Sequence, residues 1–166
     1  NHRLIQLKRA ATLLGAMVIS VNQVGGYNDI LFDGQSLVLD KNGDLLDKFP
    51  SFKICNNQFD LNTTINQPSK KESEIVLAAI SFGLKEYLKY TGFQSVVIGL
   101  SGGIDSALVA AIAVKVLGPK KVQLVSMPTK FNSDATKKDT IEMANRMNCE
   151  LTTFPIEKIR QLLNQE

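Results

Sequence analysis

The hexapeptide SGGIDS, residues 101–106, places two hydroxyls, two glycines and one carboxylate close together in the chain. It follows the apolar run VVIGL, residues 96–100, and precedes the apolar run ALVAAIAV, residues 107–114. A buried strand, a glycine-rich turn and a helix let backbone amides approach an anion, and the helix N-terminus adds favourable partial charge. The sequence therefore predicts a phosphate-binding turn at this point.

Asp105 is the residue that a simple phosphate site would not contain. No lysine stands in the turn, so the pattern GxxxxGK[ST] of P-loop proteins is not matched. Gly99, Gly102 and Gly103 are wrongly spaced for the dinucleotide fingerprint GxGxxG. Two interpretations stay open: Asp105 or Ser106 caps the helix that follows, or Asp105 holds a Mg²⁺ ion that bridges to the phosphates. One loop can do both.

The segments around the turn alternate between strand-like and helix-like patterns. A capping box of Ser69 and Glu72 predicts the start of a helix, and Gly92 predicts its end. We expect strands over 95–100, 121–127 and 150–154, helices up to Leu117 and over 134–147, and a last helix with Pro155 at its first position. Strands joined by single helices predict a parallel, doubly wound sheet, whose ligand site lies at the carboxyl ends of the strands.

The first half of the chain has a different pattern of apolar and turn-forming residues. Its patterns predict a helix over 4–15, a β-rich run over 17–22, turns at Gly25-Gly26 and Asp33-Gly34, and a hairpin of 36–40 and 44–49. Residues 56–69, rich in Asn, Gln and Thr, are typical of a linker. We therefore predict a first domain piece over 1–55, the linker over 56–69 and a second domain piece over 70–166.

The overall composition is typical of a soluble globular protein, with 44% hydrophobic residues, 21% charged residues and a net charge of +3. No basic run is long enough to indicate nucleic-acid binding, and no apolar run approaches the ~20 residues of a membrane span. Cys55 and Cys149 match no metal or redox spacing, so a reducing cytoplasm is the expected location. We predict neither nucleic acid nor membrane among the partners.

The turn and its surroundings resemble a known family. SGGIDS is similar to the SGGxDS signature of the ATP-pyrophosphatase (PP-loop) superfamily, whose members adenylate a substrate and release pyrophosphate. The stretches 83–122 and 125–148 resemble the synthetase domain of glutamine-dependent NAD synthetases, although Thr136 stands where a serine is commoner. VNQVGGYNDILFDGQSLVLD, residues 21–40, resembles a segment near the end of the nitrilase-type glutaminase domain of the same family.

The resemblance implies a fold class and a site. The implied fold is α/β: part of a Rossmann-like parallel sheet of the adenine-nucleotide alpha-hydrolase type, preceded by the C-terminal part of a nitrilase-type α/β sandwich. ATP and Mg²⁺ are the implied cofactors. The loop holds the pyrophosphate, Asp105 coordinates the metal ion, Ser106 caps the helix, and Met127 lines the adenine pocket or is an ordinary core residue. The implied nucleotide-binding residues are Gly99, Leu100, Ser101, Gly102, Gly103, Ile104, Asp105, Ser106 and Met127.

For the parent enzyme, the resemblance implies a homo-oligomer that amidates deamido-NAD to NAD with ATP, through an adenylated intermediate and with ammonia from glutamine. The Glu, Lys and Cys of the family's glutaminase lie upstream of the segment present here, so we assign no catalytic residue and predict that Cys55 is structural. We expect the chain to be incomplete and inactive alone, with weak or no ATP binding. The competing interpretations are another PP-loop ligase and a non-catalytic remnant that acts in assembly.

Overall fold

The structure, a computed structural model, describes residues 2–27, 30–56 and 71–163. The chain divides into two units, residues 1–86 and 87–166. The predicted linker lies outside the described residues except for Asn56, and Ser69 of the predicted capping box also lies outside them. The predicted domain boundaries stay predictions.

The first unit contains a helix, two small antiparallel sheets and most of a long second helix. In chain order these elements are α1 (His2–Leu14), β1 (Val18–Ser20), β2 (Val24–Tyr27), β3 (Ile30–Asp33), β4 (Leu37–Leu39), β5 (Leu45–Lys48) and α2 (Glu72–Thr91). Strands β1, β4 and β5 form one antiparallel sheet in that order, and β2 pairs with β3. The helix predicted over 4–15 and the hairpin predicted around 41–43 are confirmed.

The core of the first unit lies where α1 packs on the three-stranded sheet. Ala11 of α1 is buried together with Leu37 and Leu39 of β4. Partly buried apolar side chains surround these three, namely Leu4, Leu7, Val18 and Leu45. Residues 4, 7 and 11 are spaced three and then four positions apart and therefore share one face of the helix. The apolar spacing in the sequence thus selects the face of α1 that packs on the sheet.

Gly25 and Gly26 do not form the turn predicted for them. They lie inside β2, paired with Phe32 and Leu31 of β3. An ideal Cβ on Gly26 would lie 3.4 Å from Leu31 Cδ2 and 3.5 Å from the Cβ of Glu86 in α2. A glycine inside a strand often marks such a close approach of another element. Packing against α2 therefore accounts for Gly26 better than a turn does.

The carboxylate of Asp33, at the end of β3, joins three parts of the first unit. It accepts hydrogen bonds from Arg3 Nη1 (3.2 Å), Asn22 Nδ2 (2.8 Å) and Gln35 Nε2 (2.9 Å). Gln35 has a left-handed backbone with φ of 47°, which is unfavourable for a residue other than glycine. Charge-assisted hydrogen bonds are the stronger kind, so this network holds the strained turn after Gly34 in place.

The second unit is built around a parallel sheet. After the end of α2, its elements are β6 (Val96–Gly99), α3 (Ile104–Leu117), a short 3-10 helix (Pro119–Lys121), β7 (Val122–Ser126), α4 (Asp134–Arg146), β8 (Glu150–Thr153) and α5 (Glu157–Leu163). The strand order is β6-β7-β8 and both pairs are parallel. The predicted parallel sheet with helical crossovers is therefore confirmed, as are the predicted ends of α2 and α3.

The last helix begins later than predicted. α5 starts at Glu157, so the prediction that Pro155 takes the first helical position is wrong. The amide of Ile156 donates to the carbonyl of Pro128 at 3.4 Å, and the carbonyl of Ile156 accepts the first helical hydrogen bond from Arg160 at 3.0 Å. Ile156 is therefore the residue that precedes the first helical turn.

One face of the parallel sheet carries the core of the second unit. Helix α3 packs on β6 and β7, and α4 packs against β8. The buried side chains between these layers are Ala110, Ala113, Val122, Leu124 and Ala144. Because the strands are parallel, their carboxyl ends meet at one edge of the sheet, and the loop after β6 and the loop after β7 both leave from that edge. Among the described helices, none has the length and apolar composition that crossing a membrane requires.

Candidate phosphate-binding site

The predicted phosphate-binding turn connects β6 to α3 at the carboxyl edge of the parallel sheet. Leu100 anchors it, because its side chain is buried and its amide donates a 2.8 Å hydrogen bond to the carbonyl of Val125 in β7. The hydroxyls of Ser101 and Ser106 lie 3.0 Å apart, and Ser106 Oγ donates to the carbonyl of Gly103 at 3.0 Å. The two serines thus tie the beginning of the turn to the first turn of α3.

No side chain caps the N-terminus of α3. The N-cap residue is Gly103, with φ of −87° and ψ of 160°. The interpretation of Asp105 or Ser106 as the helix cap is therefore wrong. Both residues lie inside the first helical turn, and the hydroxyl of Ser106 is already occupied by Ser101 and Gly103. Ser106 stabilises the turn rather than the helix end.

The first turn of α3 offers several unpaired amides. In the described part of the chain, the N–H groups of Ile104, Asp105 and Ser106 donate to no other group. The amides of Ser101 and Gly103, by contrast, donate to the hydroxyls of Ser106 and Ser101 at 3.2 Å and 3.3 Å. Unpaired amides at a helix N-terminus carry partial positive charge and bind anions. This helix end can therefore accept a phosphate without losing a capping bond.

Gly102 brings the turn into direct contact with α4. Its backbone is left-handed, with φ of +85°, and an ideal Cβ there would lie 2.7 Å from both Cγ2 and the carbonyl oxygen of Thr136. The same Cβ would lie 3.0 Å from Oγ1 of Thr140, which is only 3% exposed and donates to Thr136 O at 2.9 Å. Only glycine fits both the backbone angle and the space. No pattern in the sequence indicates Thr136 and Thr140 as neighbours of the turn.

A cavity of about 190 Å³ opens beside the turn. It is lined by Gly99, Leu100 and Ser101, by residues 125–128 at the end of β7, and by Asn132, Thr136, Lys137 and Thr140. Small-molecule sites usually enclose roughly 300–1,000 Å³, so this cavity has room for only part of a nucleotide. Met127 lines it and is 52% exposed, so the alternative that Met127 is an ordinary core residue is wrong for the described residues.

The predicted site residues fall into two groups. Gly99, Leu100, Ser101 and Met127 line the cavity. The others, Gly102, Gly103, Ile104, Asp105 and Ser106, form the turn and the start of α3. The side chain of Ile104 is 79% exposed, so its backbone amide is the group that it offers to a ligand. The structure thus brings the nine residues to one end of the sheet.

Asp105 is the one carboxylate of the predicted turn. It is exposed, and its carboxylate forms no hydrogen bond or ion pair with the other residues that the structure describes. No group of three or more His, Cys, Asp or Glu among those residues is arranged to hold a metal ion. Mg²⁺ at phosphates needs only one or two carboxylates, because phosphate oxygens and water complete its shell. One unpaired carboxylate beside unpaired amides fits that donor set.

The loop between β7 and α4 is fastened by α5. Glu157 accepts hydrogen bonds from Arg160 Nη2 (2.8 Å) and from the amide of Lys130 (3.2 Å), and the Arg160 guanidinium lies 5.1 Å from the centre of the Phe131 ring. The hydrogen bonds from Arg160, and then from the Lys130 amide, lower the pKa of Glu157 from 4.5 to about 2. At the end of this loop, Ser133 caps α4 by accepting from the Thr136 amide at 3.1 Å.

Among the described residues, neither cysteine forms a disulfide or belongs to a group that could hold a metal ion. Burial raises the pKa of the Cys149 thiol above its ordinary value of 9.0, which disfavours the reactive thiolate. Cys55 is half-buried and unpaired by disulfide, and it lies after β5. A structural role for Cys55 stays a prediction.

Comparison with known proteins identifies similar chains. The family model for NAD synthase matches residues 76–166. A glutamine-dependent NAD(+) synthetase of Acinetobacter baylyi is 34% identical over 99% of this chain, and one of Rhodobacter capsulatus is 37% identical over 86% of it. These alignments cover 31% and 28% of the two relatives, so the chain spans less than a third of their length.

A solved structure has a similar fold. The glutamine-dependent NAD+ synthetase from Acinetobacter baumannii, solved in complex with adenosine diphosphate, matches 99% of this chain with a TM-score of 0.91 and 34% sequence identity. This chain covers 32% of that structure. The match extends over both units and confirms the predicted α/β fold with a Rossmann-like parallel sheet.

We predict that Gly102→Ala destabilises the second unit by roughly 1–3 kcal/mol, because alanine disfavours the left-handed backbone and its Cβ would collide with Thr136. Native-state hydrogen exchange at the amide of Leu124, in the centre of the sheet, measures the opening free energy of this unit. The matched control is Gly99→Ala, whose nearest neighbour would be Met127 Cε at an ordinary 3.7 Å, so its effect should stay within about 0.5 kcal/mol. Equal losses in both variants would contradict the prediction.

We also predict that Arg160→Gln raises the pKa of Glu157 from about 2 toward 4.5. Because the folded-state pKa is depressed, ionised Glu157 stabilises the fold fully above about pH 4.5, and this contribution is lost as the pH falls toward 2. A carboxyl-detected NMR titration of the Glu157 side chain measures the midpoint. Arg146→Gln breaks the pair with Glu142 elsewhere on the surface and should leave that midpoint unchanged. A midpoint near 4.5 for Glu157 in the unaltered chain would show that the hydrogen bonds from Arg160 and Lys130 do not lower its pKa.

Proposed function

Because the chain belongs to the NAD synthase family, we propose that it forms the ATP-binding part of an enzyme that converts deamido-NAD to NAD. The observation that carries the proposal is the uncapped N-terminus of α3, where unpaired amides and the exposed Asp105 stand beside a cavity. Membership of this family disfavours the competing interpretation as another PP-loop ligase.

The proposed reaction has two steps. A carboxylate oxygen of deamido-NAD attacks the α-phosphorus of ATP, and the bond from that phosphorus to the bridging oxygen breaks, so pyrophosphate leaves. The nitrogen of ammonia then attacks the carbonyl carbon of the acyl adenylate and loses a proton, and AMP leaves to give the amide of NAD. Both steps release a phosphate-bearing anion, so the protein's main contribution is to stabilise negative charge.

The residues of the turn have separate roles in this proposal. The amides of Ile104 and Asp105 donate to the pyrophosphate as negative charge develops on it, and the Ser101–Ser106 pair keeps the turn in shape. Mg²⁺ supplies charge neutralisation at the phosphates when it is bound, and the Asp105 carboxylate would hold it. Met127, half exposed beside Gly99, packs against the adenine ring.

Several features of the whole protein belong to the same proposal. The names of the relatives support glutamine as the source of ammonia, with free ammonia as the alternative. We further propose a homo-oligomer in the cytoplasm. The activity of the 166-residue chain itself is not part of the proposal, because the chain spans less than a third of these relatives.

We predict that Asp105→Asn has opposite effects on ATP with and without Mg²⁺. With Mg²⁺ the variant should bind ATP about tenfold more weakly, because the metal loses its carboxylate. With a chelator present it should bind ATP more tightly, because the carboxylate no longer repels the phosphates. NMR titration at millimolar ATP measures binding that is weak, as expected for an open site. Glu150→Gln, at the opposite edge of the sheet, removes the same charge and is the control. Weaker binding of Asp105→Asn under both conditions would exclude the metal role.

The complete reaction is tested in a chimera. Residues 1–166 replace the matching segment of the Acinetobacter baylyi relative, to which they are 34% identical. We expect the chimera to form NAD from deamido-NAD, ATP and ammonia, and Asp105→Asn in the chimera to abolish that product. Mass spectrometry of the products separates the adenylated intermediate from NAD. A folded chimera that binds Mg·ATP but forms neither would contradict the proposal and favour the non-catalytic assembly role.

A further inference from the structure

ATP carries several negative charges, whereas the turn itself contributes a carboxylate and no cation. We infer that Lys137, at the end of the first turn of α4, supplies the missing cation by binding the ATP phosphates from the wall of the cavity. This inference rests on the proposed function of the turn.

The position of Lys137 follows from the contact between the turn and α4. Thr136 touches the backbone of Gly102, and Lys137 is the next residue along the helix. The amide of Lys137 is bound to the carbonyl of Ser133 at 3.1 Å, so its backbone is fixed relative to the cap of α4. Lys137 lines the same cavity as Ser101. A flexible lysine side chain can therefore reach an anion held at the N-terminus of α3.

The present partner of Lys137 binds it only weakly. Its ammonium lies 3.2 Å from Asp134 Oδ1, and the Asp134 side chain is fully solvent-exposed at 101%. An ion pair of this kind is screened by water and is readily exchanged. A phosphate that approaches the unpaired amides of α3 can compete with Asp134 for the Lys137 ammonium. The amides and the ammonium would then bind the same phosphate together.

The other lysines in α4 and in the segments that flank β7 are less suitable. Lys130 lies over the Phe131 ring at 5.3 Å and is absent from the cavity wall. Lys138 is exposed and also does not line the cavity. Lys120 and Lys121 precede β7 and therefore lie at the amino edge of the sheet. Among the residues that line the cavity, Lys137 is the one with a positive charge.

The test compares two neighbouring lysines in the 166-residue chain. NMR titration with Mg·ATP and, separately, with adenosine measures the Kd of the unaltered chain, Lys137→Met and Lys138→Met. We expect Lys137→Met to raise the Kd for Mg·ATP about fivefold and to leave the Kd for adenosine within about twofold. Lys138→Met makes the same change of charge on the same helix and should alter both values by less than about twofold.

Asp134→Asn provides a second, independent variant. It removes the competing carboxylate, so we expect it to lower the Kd for Mg·ATP, and to lose this effect when Lys137→Met is also present. Equal effects of Lys137→Met and Lys138→Met would overturn the inference and leave the proposed function intact. Equal loss of adenosine and Mg·ATP binding in Lys137→Met would also overturn it, since a phosphate contact cannot act on adenosine. If the unaltered chain shows no binding of Mg·ATP, the same variants are titrated in the Acinetobacter baylyi chimera, and no binding of Mg·ATP there would overturn both.

Discussion

The geometry of the candidate site depends on the contact between Gly102 and the first turns of α4. The left-handed backbone of Gly102 lets the turn after β6 pack directly on the main chain of Thr136, where any side chain would collide. Thr140, buried behind it, uses its hydroxyl on the Thr136 carbonyl and so closes the contact without an unpaired polar group. Because this contact joins two backbones, it fixes the unpaired amides of α3 relative to the wall of the cavity that α4 provides.

The capping of α3 and α4 bears on how the proposed phosphate site can contain a carboxylate. Helix α4 is capped by the hydroxyl of Ser133, whereas α3 has no side-chain cap and keeps its first amides for a ligand. Asp105 in the first turn of α3 is favourable for the helix, because its negative charge faces the positive end of the dipole. An anion bound at the N-terminus of α3 would repel the Asp105 carboxylate unless a cation lay between the two negative charges. In the proposed function, the carboxylate is compatible with a bound phosphate because it would hold the metal ion.

The sequence was sufficient for most elements of the fold. Apolar spacing identified the helices and the parallel strands because these patterns are local, and the SGGxDS signature located the turn for the same reason. Contacts between distant segments were not predictable. Nothing in the spacing of residues 101–106 indicates that Gly102 meets Thr136, or that Ser106 binds Ser101 instead of capping α3. The sequence predicts a turn at Gly25-Gly26 because a glycine needed for packing against α2 is indistinguishable, in the sequence, from one needed for a bend.

A series of short contacts connects α5 with the turn between β6 and α3. Glu157 accepts a hydrogen bond from the amide of Lys130 in the middle of the loop after β7, and the same loop ends at Ser133, the cap of α4. The cap fixes the first turn of α4, and Thr136 in that turn meets Gly102. The contacts at Lys130 and Thr136 each have a backbone amide as donor, so the series connects α5 with the main chain of the loop and of α4. The loop between β7 and α4 is therefore the element through which the third strand and its helix influence a site built on the first two strands.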